Sequence, residues 1–132
     1  MSYKIDMKNE PDYLYVEATG TRSIETIAAI IQDYVEACDK HGYKKVLLDA
    51  QRLTGKLSIT NIYQMAKEQA KKYKEHSRLK VAVVDLEENR DRFRFFETVL
   101  VNIGFEVRFF SEVAAAQQWL GGSEDIFTKS DK

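Results

Sequence analysis

Lys45-Val46-Leu47-Leu48-Asp49 is the stretch that decides the fold. It is a short, β-rich apolar run that ends on a carboxylate, too brief to express a helical period. Two later stretches repeat its character: Leu79 to Asp85, built on Val81-Ala82-Val83-Val84, and Phe105 to Phe110, built on Phe105-Glu106-Val107-Arg108-Phe109. Each is followed by a segment whose apolar residues recur at helical spacing. Buried strands alternating with amphipathic helices imply a parallel sheet joined by crossover helices.

Working outward, a connection over residues 50–57 leads to Ser58, the expected N-cap of a helix with Ile59, Ile62, Tyr63, Ala66, Ala70 and Tyr73 on its apolar face. Upstream, Ser23 opens a helix carrying Ile24, Ile27, Ala28, Ile31, Val35 and Cys38 on one side, and Gly42 closes it. Residues 3–7 and 13–18 alternate like half-buried strands around the turn Asn9-Glu10-Pro11-Asp12, so an antiparallel hairpin leads the chain, its second strand ended by Gly20. Downstream, a helix from about Asn89 places Phe93, Phe96, Val99, Leu100 and Ile103 on its buried stripe, with Gly104 as its stop. A last helix runs from Ser111 through Val113, Ala116 and Leu120 to Gly121-Gly122.

The expected architecture is therefore α/β: an N-terminal β-hairpin followed by β-α units, with a mixed, mostly parallel five-stranded sheet and about four helices. One domain is expected over residues 1–122, with a polar tail over 123–132 that frays.

The 132 residues suffice for one core, and 44% hydrophobic with 31% charged residues favours a globular fold over disorder. No apolar run approaches the ~20 residues needed to span a bilayer, and the first residues lack a signal-peptide core. One cysteine, Cys38, excludes an internal disulfide framework and reads as a core thiol. A cytoplasmic setting is expected. The net charge of -1 hides a partition: residues 44–80 carry ten basic and three acidic side chains, while both flanks are acidic. No aromatic residues interleave with that basic segment as a stacking platform requires, so a solvated helix face is expected and not a nucleic-acid surface.

Enzyme signatures are missing. The two histidines, His41 and His76, fall near helix ends, and no metal-ligand, nucleophile-elbow or phosphate-cradling pattern occurs. Asp49 and Asp85 each end a predicted strand, where the carboxyl edge of an open α/β sheet receives ligands. They are expected as loop-capping carboxylates. A shared divalent-metal site, as in a hydrolase or phosphotransferase, is the alternative.

The segment Leu53 to Asn61 is more suggestive: it sets Thr54, Gly55, Ser58, Thr60 and Asn61 at the same edge, around a helix N-terminus. Free N–H groups and the positive end of the helix dipole favour an anion there. Ser58 reads either as an unmodified cap or as a phosphorylation site, where a phosphate adds roughly -1.5 to -2 charges. On the third helix, Phe95 falls off the buried stripe and is expected to be exposed. Ile30, Met65, Phe95 and Val101, all off-stripe, permit a homodimer without requiring one.

The layout, with Val46-Leu47-Leu48-Asp49 before Leu53-Thr54-Gly55, resembles the STAS domains of anti-sigma-factor antagonists, and among them the SpoIIAA-like group. That group's Lys-Val-Ala-Val-Val-like strand and closing Ala-x-x-Trp-Leu helix correspond here to Lys80-Val81-Ala82-Val83-Val84 and Ala116-Gln117-Gln118-Trp119-Leu120. The likeness covers Tyr13 to Leu120. It implies a non-enzymatic cytoplasmic module that works by docking a protein partner, such as a kinase or an anti-sigma-like regulator, with no cofactor. In the regulatory branch, a serine in an Asp-Ser-Ser/Thr-Gly motif at the start of the second helix is phosphorylated. Lys56-Leu57-Ser58-Ile59 stands there in this chain, matching one serine but not the aspartate, second hydroxyl or glycine. The alternative is a carrier of a small hydrophobic, lipid-like ligand in a groove near the third helix.

Overall fold

The computed structural model describes residues 3–122; the expected tail at 123–132 lies outside them. Strands β1 (Tyr3–Asn9), β2 (Leu14–Thr21), β3 (Lys45–Thr54), β4 (Lys80–Val84) and β5 (Glu106–Phe110) form one sheet in chain order. β1 pairs antiparallel with β2, and β2 through β5 run parallel. The helices are α1 (Ile24–His41), α2 (Ile59–Lys72), α3 (Arg90–Ile103) and α4 (Val113–Gly122), with short 3-10 turns at Lys74–His76 and Glu87–Asn89. This is the expected α/β architecture.

Alternation along the strands sorts the core into two faces. Leu14, Val16 and Ala18 of β2, Val46 and Ala50 of β3, and Val81 and Val83 of β4 point toward α1, meeting Ile30, Tyr34, Val35 and Cys38. Leu47, Ala82 and Val84 point the other way, onto Ala116 and Leu120 of α4. The helices α1, α2 and α3 thus cover one side, and α4 alone covers the other. Lys80 helps hold α4 in place: its ammonium donates to the Trp119 carbonyl at 3.0 Å and lies 4.5 Å from the centre of the indole. The two sequence features that carried the family resemblance are therefore in contact.

Several boundaries differ from expectation. β2 continues through Gly20 to Thr21, and β3 continues to Thr54, because a bulge between Glu17 and Thr19 restores their pairing at Thr19↔Arg52 and beyond. β4 stops at Val84, so this extension is a two-stranded tongue projecting past the rest of the sheet. α3 begins just after Asn89, as expected, and the Asn89 side chain turns inward and donates to Asp85 at 3.1 Å.

The buried arcs are also wider or rotated. Ile30 and Met65, expected off-stripe, are 1% and 3% exposed, so neither is available to a dimer. Ile59, Tyr63 and Ile103, expected on buried stripes, are each about half exposed. Phe95, expected to be exposed, is half-buried with its ring 6.2 Å from that of Tyr63. Cys38 is buried, as expected.

Candidate functional site

The edge at which α2 begins is built by the strand tongue. At its tip, Gly55 turns the chain with φ +83, a left-handed conformation that a side chain disfavours. An added Cβ there would meet only Thr21 Cγ2 at 4.0 Å, so the requirement for glycine is conformational and not steric. Lys56 and Leu57 bridge to Ser58, whose extended backbone and side chain form the N-cap: Oγ accepts the Asn61 N–H at 3.1 Å. The Thr54 hydroxyl donates to the Gly20 carbonyl at 3.3 Å, tying the tongue's two strands.

Two arginines fix this edge. Arg22, just after β2, donates through Nη1 to the carbonyls of Leu53 at 2.6 Å and Gly55 at 3.0 Å. Its Nη2 reaches the Ala50 carbonyl at 3.2 Å and Asp85 Oδ1 at 2.6 Å. Arg92 of α3 donates to the Leu57 carbonyl at 2.6 Å. Neither stood out in the sequence. The available signal was that Arg22 is the only arginine before position 52, set beside an N-cap serine.

The structure does not bring Asp49 and Asp85 together. Asp49 lies opposite Val84 in the β3–β4 register and shares the α4 face; it accepts from the Tyr15 hydroxyl at 3.2 Å and from the backbone and side-chain N–H groups of Gln51 at 3.1 and 3.0 Å. Burial, with the neighbouring Asp49 charge, pushes the Tyr15 phenol up to about 12. Asp85, one residue beyond β4, turns to the opposite face. Its Oδ1 takes Arg22, the Leu86 N–H at 2.7 Å and the Asn89 amide. Both carboxylates are committed to local donors on different sides of the sheet, and no three His, Cys, Asp or Glu residues among those described converge as a metal site.

Outside this framework, Thr54, Gly55, Ser58, Ile59, Thr60 and Tyr63 are all exposed, and Asn61 is half-buried. Ile59 and Tyr63 are each 47% exposed. The first turn of α2 carries no acidic side chain to offset its dipole, and the Lys67 ammonium lies 5.4 Å from the centre of the Tyr63 ring. Beneath α1, α2 and α3, against the sheet, lies a largely apolar cavity of about 150 Å³, to which α3 contributes Phe93, Phe96 and Leu100 but not Phe95. No helix among the described residues is long and apolar enough to cross a membrane.

Neither protein-family models nor curated proteins match this chain. Solved structures do. An anti-sigma factor antagonist from Mycobacterium paratuberculosis superposes with a TM-score of 0.60 at 12% identity, over 92% of this chain and 96% of that one. A protein with a SpoIIAA-like fold from Shewanella loihica superposes with a TM-score of 0.55 at 23% identity, over 89% of this chain and 93% of that one. The strand order, the leading hairpin and these superpositions agree: the chain has a SpoIIAA-like fold.

Proposed function

We propose that this chain is a non-enzymatic, cytoplasmic regulatory module that docks a protein partner on the edge formed by the β2–β3 tongue and the start of α2. The observation that supports the reading is the exposure of Ile59 and Tyr63 on a helix start with no acidic residue in its first turn. An apolar contact beside the positive end of a helix dipole and the Lys67 ammonium suits a partner that presents acidic groups around an apolar anchor. The likeness to an anti-sigma factor antagonist supports the regulatory class. Phosphorylation of Ser58 by a kinase would reverse the sign of this surface, releasing an acidic partner. Thr54, Gly55, Thr60 and Asn61 shape the same edge.

The test is affinity capture from the native cell with wild type, Ser58→Asp and Tyr63→Glu as baits, compared by quantitative mass spectrometry. Aspartate caps a helix about as well as serine, so Ser58→Asp retains the fold. A protein held by wild type and depleted roughly tenfold or more on both variants, equivalent to about 1.4 kcal/mol, is expected. Identical recovery on all three baits removes the reading.

A second reading, a carrier of a small apolar ligand, is supported by a different observation, the cavity between the sheet and the three helices. This cavity lies against Phe93, Phe96 and Leu100 of α3.

A further inference from the structure

The cavity beneath α1, α2 and α3 is apolar along most of its wall, with Arg22, Asp85 and Arg92 toward the tongue and Gln69, Tyr73 and His76 toward the end of α2. Three side-chain atoms are buried without a hydrogen-bond partner among the described residues: Gln69 Oε1, the Tyr73 hydroxyl and His76 Nδ1. All three residues line this one cavity. They also adjoin one another. Gln69 and Tyr73 are one turn apart at the end of α2, and the Tyr73 ring meets that of His76 edge-on at 6.0 Å. Folded proteins pair nearly all their buried polar atoms, because an unpaired one has lost water without return. Three such atoms lie together on residues that line one cavity.

We infer that the cavity binds a phenol-sized molecule, an apolar ring bearing one hydroxyl, with that hydroxyl seated among Gln69, Tyr73 and His76. The inference rests on the carrier reading and narrows its ligand. Size comes from the volume: a core cavity of about 150 Å³ accepts a single benzene ring. The head group comes from the hydrogen-bonding inventory. His76 Nε2 lies 3.1 Å from both oxygens of Asp39, and a carboxylate only accepts, so that nitrogen carries a proton. In the neutral ring, Nδ1 is then an acceptor, on a residue that lines the cavity. Gln69 Oε1 is a second acceptor, and Tyr73 both donates and accepts. A ligand hydroxyl satisfies this set, donating to an acceptor while receiving from Tyr73. A carboxylate would set an acceptor against two acceptors; the Lys72 ammonium, 5.4 Å from the centre of the Tyr73 ring, is not among the residues that line the cavity.

Calorimetric titration of the full chain with p-cresol, p-xylene and decanoic acid tests the assignment. The first two share shape and differ by the hydroxyl; the third represents a lipid-like cargo. Tighter binding of p-cresol than p-xylene by tenfold or more is expected. Tyr73→Phe and Gln69→Met should each weaken p-cresol at least fivefold and leave p-xylene unchanged. Because both variants remove a buried unpaired atom, their unliganded melting temperatures should hold or rise, which separates lost binding from lost folding. Equal affinity for p-cresol and p-xylene overturns the role of the polar cluster. Binding of decanoic acid without p-cresol overturns the ligand class while sparing the carrier reading, and absence of binding by all three overturns both.

Discussion

The Arg22 guanidinium places its two terminal NH2 groups on three backbone carbonyls and a carboxylate, and it does so almost out of solvent: its side chain is 11% exposed and that of Asp85 is 7%. A surface pair of this kind contributes at most about 1 kcal/mol. Here, truncation would strand a buried carboxylate whose remaining donors are the Leu86 N–H and the Asn89 amide. Arg22→Ala is expected to cost about 3–5 kcal/mol, the usual result of removing one member of a buried pair. In a domain of this size that corresponds to a fall of roughly 10 °C or more in the melting temperature, measurable by calorimetry. Arg22→Lys should recover only a minor part, since an ammonium cannot fork across separated acceptors. A loss under about 1 kcal/mol for the alanine variant would show that the edge does not depend on this contact. The identity of Arg22 as the clamp was not legible in the sequence, because its acceptors lie 28 to 63 positions away.

Entry into α2 depends on two residues that act by different means. Gly55 supplies a positive φ, and Ser58 supplies a capping oxygen. Gly55→Ala should cost about 1–2 kcal/mol through backbone strain alone, as its methyl would meet nothing closer than 4.0 Å. Ser58→Ala should cost about 1 kcal/mol, and Ser58→Asp should stay within about 0.5 kcal/mol of wild type. Urea unfolding checks all three, and a stabilised Gly55→Ala would contradict the conformational account. Such caps and stops were readable from sequence because their physics is local: Ser23, Gly42, Ser58 and Gly104 all stand where expected. The length of β3 was not. Gln51, Arg52 and Thr54 look like loop residues, and only pairing with β2 beyond its bulge makes them strand. The helix stripes misled where burial has two sources. Besides facing the sheet, the helices of this layer contact one another, and Ile30 of α1 and Met65 of α2 are buried, whereas Ile59, at the first position of α2, remains exposed.

At the scale of the molecule, the sheet's alternation was legible and fixed which residues form the core, but the polar cluster lining the cavity at the end of α2 was not. Gln69 belongs to a helix, Tyr73 to its cap, His76 to a 3-10 turn, and the carboxylate that sets the histidine's proton comes from α1. Only the packed fold makes these four one cluster. The same packing gives the protein an alkaline limit. Burial pushes the Cys38 thiol up to about 11, with Asp39 adding to the effect, and burial also raises the Tyr34 phenol above its ordinary value. Tyr15 is held at about 12, chiefly by burial and then by Asp49. In the unfolded chain, thiols ionise near about 8.5 and phenols near about 10. Folding therefore holds these groups protonated where the unfolded chain releases its protons, so stability falls as pH rises through the interval between the two values. The contribution is complete below about pH 8, begins to decline through Cys38, and declines further as the phenols join. Urea midpoints should be level between about pH 7 and 8 and then fall toward pH 11. In Cys38→Ala, the fall between about pH 9 and 11 should be shallower, whatever stability the smaller side chain costs at neutral pH. Parallel curves for the two proteins would mean that the thiol ionises as readily folded as unfolded, and the tight packing of α1 on the sheet around Cys38 would then be wrong.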